Sequence, residues 1–148
     1  MSTPSEIRVV VVDDQPVFHD LVVGLLERDP GVSVVGVAST VDQALRQVRV
    51  HQPDVVVMDQ QLPDGHGTDA ARRITRGFRH ARVVMLTASA DEHSVQAAKK
   101  AGCSGYVTKD RVAHDILTAV KGAFRWETKV PDGVAVFLRF SPKDTDPR

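Results

Sequence analysis

The sequence predicts a doubly wound α/β domain, a parallel sheet of five strands with helices on both faces. Two observations carry the prediction. Short runs of β-branched residues recur along the chain, apolar almost throughout rather than alternating, as strands covered on both faces are. Between them lie stretches whose apolar residues recur at three-and-four spacing, and such strand and helix alternation gives a parallel sheet. Right-handed crossovers leave few topologies, of which the order 2-1-3-4-5 is the commonest.

The first strand is Ile7 to Val12, interrupted only by Arg8, and it ends in Asp13 and Asp14. Pro16 suits a first helical turn, and Phe18, Leu21, Val22, Leu25 and Leu26 stripe the helix that Asp29-Pro30-Gly31 stops. Val32 to Ala38 is the second strand. Thr40 caps the next helix, with Val41, Ala44, Leu45 and Val48 on one face, and Pro53 closes that unit. The third strand, Asp54 to Met58, delivers Asp59. Leu62-Pro63-Asp64-Gly65-His66-Gly67 has the residues of a tight loop, and a helix from about Thr68 to Arg76 follows with Ala71, Ile74 and Phe78 inward. Ala81 to Leu86 delivers Thr87. Asp91 and Glu92 open a fourth helix that runs to Ala101 and stops at Gly102. A short fifth strand around Tyr106 and Val107 delivers Lys109, and Val112, Ile116, Leu117, Val120 and Phe124 stripe the last helix.

At 148 residues the chain has room for one domain with a real core, and 42% hydrophobic with 26% charged residues excludes a disordered chain. The formal net charge is zero, without the clustered Lys and Arg that mark a nucleic-acid surface. No apolar stretch reaches the roughly 20 residues of a membrane span, and the N-terminus lacks the layout of a signal peptide, so a cytoplasmic location is expected. Cys103 is the one cysteine, which leaves neither a disulfide nor a thiolate zinc site within the chain and suits a small buried residue.

In this fold the ligand site lies beyond the carboxyl ends of the strands, at the switch point between the first and third. Asp13, Asp14, Asp59, Thr87 and Lys109 all stand just past strand ends, so three carboxylates, a hydroxyl and an ammonium converge on one rim. Carboxylates about 4 Å apart repel by roughly 4 kcal/mol at an effective dielectric of 20, so such a cluster requires positive charge. Lys109 supplies part. A hard divalent cation would supply the rest, and an all-oxygen ligand set favours Mg²⁺ over Zn²⁺. Asp59, at the end of the central strand, is the candidate nucleophile toward an activated phosphoryl group, with Thr87 and Lys109 able to reach the product's oxygens.

These residues resemble the receiver domain of two-component response regulators, a flavodoxin-like (CheY-like) fold, over about residues 6–124. The resemblance rests on Val12-Asp13-Asp14-Gln15-Pro16, on Met58-Asp59 followed by Pro63 and Gly67, on Leu86-Thr87-Ala88 and on Lys109-Asp110. It implies that Asp59 accepts a phosphoryl group from a phosphohistidine of a sensor histidine kinase. Asp13, Asp14, Asp59 and the backbone carbonyl of Gln61 would hold Mg²⁺. Thr87 and Tyr106 would be the switch pair, which alters the surface of the fourth helix, fifth strand and fifth helix, or dimerisation.

The loop at residues 62–67 and Lys109-Asp110 look most like the NarL/FixJ subfamily, whose members usually carry a helix-turn-helix output domain. DNA binding would then belong to an output domain absent from this chain. Residues 125–148 read as a C-terminal extension or interdomain linker, with Val134, Val136, Leu138 and Phe140 alternating like a strand within a stretch, 131–140, that also suits a short docking helix. His66 sits in the loop above Asp59, within reach of a partner. Gln60 and Gln61 stand after the nucleophile where many relatives have a charged or small residue.

Three functions are thus on offer. The first is a Mg²⁺-dependent signalling switch that catalyses only its own phosphorylation and dephosphorylation. The second is a phosphohydrolase with an aspartyl-phosphate intermediate, like the haloacid dehalogenases; these place a general-acid Asp where this chain has Gln61, which cannot transfer a proton. The third is a receiver-shaped binding module that is never phosphorylated, and such modules usually lack one of the acidic residues or the Lys retained here.

Overall fold

The computed structural model of the protein describes residues 6–89 and 91–125. Its main sheet is built from β1 (Ile7–Val12), β2 (Val32–Ala38), β3 (Val55–Asp59), β4 (Arg82–Thr87) and β5 (Gly105–Thr108). Its helices are α1 (Pro16–Glu27), α2 (Val41–His51), α3 (Gly67–Gly77), α4 (Glu92–Lys100) and α5 (Val112–Arg125). The strands are parallel throughout and lie in the expected order β2-β1-β3-β4-β5.

Side chains alternate across each strand, which sorts the sheet's apolar residues into two layers. Val10, Val12, Val56, Met58 and Met85 point to the side packed with Ala44 and Val48 of α2, Ala71 and Ile74 of α3, and Val95 of α4. Val9, Val11, Val57, Val84 and Leu86 face Val22 and Leu26 of α1 and Ile116 and Val120 of α5. β2 at the sheet's edge leaves Val37 45% exposed, whereas the central strands β1, β3 and β4 needed apolar residues at odd and even positions alike. That is why the runs read as continuous rather than alternating.

Local signals set most boundaries. Pro16 stands in the first turn of α1, and Thr40 Oγ1 accepts the Gln43 N–H at 3.0 Å to cap α2. Asp91 Oδ1 accepts the Ser94 N–H at 2.8 Å, and this bond holds its carboxyl below the usual carboxylate range. Gly102 follows α4 with φ +91°, the left-handed conformation expected of it. Two strands start one residue later than the sequence suggested. Asp54 is a lead-in whose carboxylate accepts the Arg8 N–H at 2.9 Å, and Ala81 is still held in a turn by the Phe78 carbonyl at 3.1 Å.

The stretch expected to be a loop contains a small antiparallel ladder, Gln61–Leu62 against Gly65–His66. Two contacts anchor it. Asp64 reaches across to the start of α2, its carboxylate accepting the Val41 N–H at 2.7 Å and the Asp42 N–H at 3.2 Å. Gly67 opens α3 so close to the end of β3 that an added Cβ would stand 2.2 Å from the Asp59 carbonyl oxygen. Only a residue without a side chain fits there. The apolar stretch with Val134, Val136, Leu138 and Phe140 and the linker-like end lie outside the described residues.

Ile74 is 0% exposed between α3 and the sheet, so Ile74→Ala should lower the free energy of unfolding by about 2–5 kcal/mol in urea titration. Arg73 is exposed on the same helix, and Arg73→Ala should stay within about 0.5 kcal/mol of the parent. Equal losses from the two would contradict this assignment of the core face.

Candidate functional site

Register brings the site together. Val12 of β1 pairs with Met58 of β3, so the next residues, Asp13 and Asp59, emerge side by side at the carboxyl edge of the sheet. Asp59 pairs with Leu86, and Thr87 pairs with Thr108, which puts Thr87 at the last position of β4 and Lys109 just past the end of β5, at the same edge. Lys109 opens a single 3-10 turn, Lys109–Arg111, before α5. Five residues spread over most of the sequence thus share one rim.

Asp13, Asp14 and Asp59 each offer an oxygen within 4.8 Å of the others. Asp13 and Asp59 are 1% and 2% exposed, whereas Asp14 lies open at the lip. Lys109 Nζ stands 3.1 Å from Asp59 Oδ2 and 3.7 Å from Asp13 Oδ2, one ammonium against three carboxylates. Asp59 Oδ1 accepts the Gln61 N–H at 3.3 Å and Asp13 Oδ1 accepts the Gln15 N–H at 2.8 Å. Asp13 Oδ2 is buried without a hydrogen-bond donor among the described residues.

Burial pushes the Asp13 carboxyl above the ordinary carboxylate range. The Gln15 N–H pulls it down, the Asp59 charge pushes it up again, Lys109 opposes that, and Asp14 adds a smaller push. A buried carboxylate oxygen with no donor is costly in a pocket of like charge. The donor set is oxygen alone, so the residues fit a hard divalent cation.

Two of the expected residues are turned elsewhere. The Thr87 hydroxyl donates to the Ser89 carbonyl at 3.2 Å and accepts the Ser89 N–H at 3.4 Å. Tyr106 is 1% exposed and its hydroxyl donates to the same Ser89 carbonyl. The two side chains therefore share one acceptor. Gln61 is exposed and presents its N–H to Asp59, and His66 is exposed in the small ladder opposite Gln61. Cys103 is buried, which pushes its thiol up to about 12 and keeps it out of the chemistry.

Sequence reasoning missed Ser89, whose contribution is a backbone oxygen and so leaves no trace in residue type. It also missed Phe18. Read only as part of the α1 stripe, Phe18 presents its ring to Lys109, with Nζ 4.7 Å from the ring centroid.

A family profile, the response regulator receiver domain, matches residues 9–121. The DNA-binding transcriptional activator DevR/DosR of Mycobacterium tuberculosis is 37% identical over 115 residues, 78% of this chain and 53% of that protein. The response regulator UvrY of Escherichia coli K12 is 28% identical over 135 residues, 91% of this chain and 62% of that protein. The chain thus spans between half and two thirds of these relatives. Among solved structures, a LuxR-family two-component response regulator from Aurantimonas sp. SI85-9A1 superposes with a TM-score of 0.78 at 35% identity, covering 82% of this chain and 86% of that one. The rim of carboxylates and lysine described above therefore sits in a chain that belongs to the receiver domains of two-component response regulators, of the NarL/FixJ (LuxR) type.

Proposed function

We propose that the chain is a phosphorylatable switch in which Asp59 accepts a phosphoryl group from the phosphohistidine of a sensor histidine kinase. The observation that carries the reading is the contact of Lys109 with both buried carboxylates, within hydrogen-bond reach of Asp59 Oδ2 but too far to donate to Asp13 Oδ2, which is left without a donor. In the transfer an Asp59 oxygen forms the new P–O bond as the P–N bond breaks, and the electron pair returns to the donor imidazole. The chain is a signalling element, and its only catalysis is its own phosphorylation and dephosphorylation.

Lys109 Nζ occupies space beside Asp59 Oδ2 that an arriving phosphoryl group needs. It turns from the carboxylate to a phosphoryl oxygen, keeping its charge at the site. Asp13, Asp14 and Asp59, with the Gln61 carbonyl, would hold Mg²⁺, whose charge offsets that of the carboxylates and the phosphoryl oxygens when it is bound. Thr87 leaves Ser89 for a phosphoryl oxygen, and the Ser89 carbonyl is then left to Tyr106 alone.

Tyr106 is already buried, so the change that remains for the phosphoryl group to drive is the movement of Thr87 and the segment after it into α4. The output is read at the face of α4, β5 and α5, or through dimerisation. By likeness to the DNA-binding relative it controls transcription through a separate output domain. The cytoplasm is the compartment this reading requires, and no helix among the described residues is long and apolar enough to cross a membrane.

Asp59→Asn should abolish labelling by acetyl phosphate, followed by intact-mass spectrometry, because an amide cannot form the acyl phosphate. Labelling that persists at wild-type extent would place the acceptor elsewhere. Lys109→Ala should leave Mg²⁺ binding in calorimetry while weakening the response of the distant face to phosphorylation; loss of all Mg²⁺ affinity would contradict that division of roles.

A raised Asp13 pKa in the folded chain means that folding disfavours its charged form. The cost is absent below the unfolded pKa, near the ordinary 3.8, and is fully felt once pH has risen through the folded pKa. Without divalent ions Asp13→Asn should therefore raise the Tm at pH 7, with the gain vanishing as pH falls toward that ordinary value. Added Mg²⁺ should raise the Tm of the parent and raise that of Asp13→Asn much less. A variant less stable than the parent at pH 7 would contradict the sign.

A further inference from the structure

Lys109 reaches the site on a four-carbon stem whose ammonium is a point charge with little orientation of its own. Its side chain is 23% exposed, so water competes for it. Two of its neighbours are the carboxylates of Asp59 and Asp13. Another is the ring of Phe18, with the ammonium 4.7 Å from its centroid. The ring is itself held, since Phe18 packs against the apolar layer between the sheet and α1 and α5.

We infer that Phe18 is a positioning residue for phosphorylation, holding the Lys109 ammonium at the rim through the negative face of its ring. The inference rests on the reading of Lys109 as the cation that meets the phosphoryl oxygens. A carboxylate contact alone would not serve that purpose. The Asp59 carboxylate is the group that reacts under that reading, so its bond to Lys109 must loosen when the phosphoryl group arrives.

The ring asks for no such exchange. An ammonium over a π face keeps its three N–H groups free to turn, so Lys109 can swing from Asp59 Oδ2 to a phosphoryl oxygen without leaving Phe18. The ring also shields one side of the cation from water and removes stem conformers that would carry it into solvent. An aliphatic residue of similar size would fill the same space in the apolar layer. It would lack the attraction.

The role is separable from packing by changing the ring's electrons at constant shape. Fluorinated phenylalanines at position 18 weaken the negative face stepwise, and the rate of Asp59 phosphorylation by acetyl phosphate at saturating Mg²⁺ should fall with each fluorine. Phe18→Leu should slow it about two- to fivefold, with unchanged Mg²⁺ affinity in calorimetry, and Phe18→Tyr should restore it. In the metal-free protein, the ε-methylene protons of Lys109 should carry an upfield ring-current shift that Phe18→Leu removes and Phe18→Tyr keeps.

A rate indifferent to fluorination, or no ring-current shift at Lys109 in the parent, would overturn the assignment. Failure of the parent to be labelled on Asp59 at all would instead overturn the phosphorylation reading, and this inference with it. Unfolding midpoints of the fluorinated series that match the parent keep a loss of rate from being read as a loss of fold.

Discussion

Three carboxylates at one edge of a sheet repel one another, and the chain holds them there with a single lysine. Asp13 and Asp59 are almost wholly out of water, so the repulsion between them is poorly screened, and it is offset by the Lys109 contacts at 3.1 and 3.7 Å together with the Gln15 N–H on Asp13 and the Gln61 N–H on Asp59. The compensation is incomplete. The Asp13 carboxyl is pushed up first by its burial and then by the Asp59 charge, and one of its oxygens lacks a donor; a divalent cation at the cluster would relieve both. Buried carboxylates in such surroundings suit a site for a cation and, under the function proposed above, for a phosphoryl group.

The rest of the architecture keeps that edge in place. Parallel pairing in fixed register aligns the ends of β1, β3, β4 and β5, and two apolar layers clamp the sheet between α1 and α5 on one side and α2, α3 and α4 on the other. The loop after Asp59 is pinned at both ends. Asp64 grips the start of α2 and Gly67 sets α3 against the Asp59 carbonyl, so the Asp59 backbone has little room to shift. Ser89 is held differently, since its carbonyl serves both Thr87 and Tyr106. An acceptor shared by two side chains is a natural place for a two-state exchange, because losing one donor leaves the other in sole possession.

Much of this was legible in the residues. Continuous β-branched runs announced strands covered on both faces, and the topology that follows from right-handed crossovers sent Asp13, Asp14, Asp59 and Lys109 to one rim. Caps and stops at Thr40, Asp91 and Gly102 behaved as their side chains require. What escaped were relations that residue type does not encode. The Ser89 carbonyl acts through backbone, which every residue has. Asp64 looked like a turn former and is also a cap for a helix more than twenty positions earlier. Phe18 belonged to an amphipathic stripe, and only the packing of α1 beside the 3-10 turn at Lys109 gave its ring a second task. Tertiary proximity decided each case.

On the proposed reading, the carboxylate rim accepts a phosphoryl group only when a divalent cation completes its charge. Fluorine NMR of the protein with beryllofluoride, a mimic of the acyl phosphate, reads that claim without a kinase. Bound-fluoride resonances should appear only when Mg²⁺ is present and should be lost in Asp59→Ala. Resonances that form without the metal, or survive that substitution, would contradict the account.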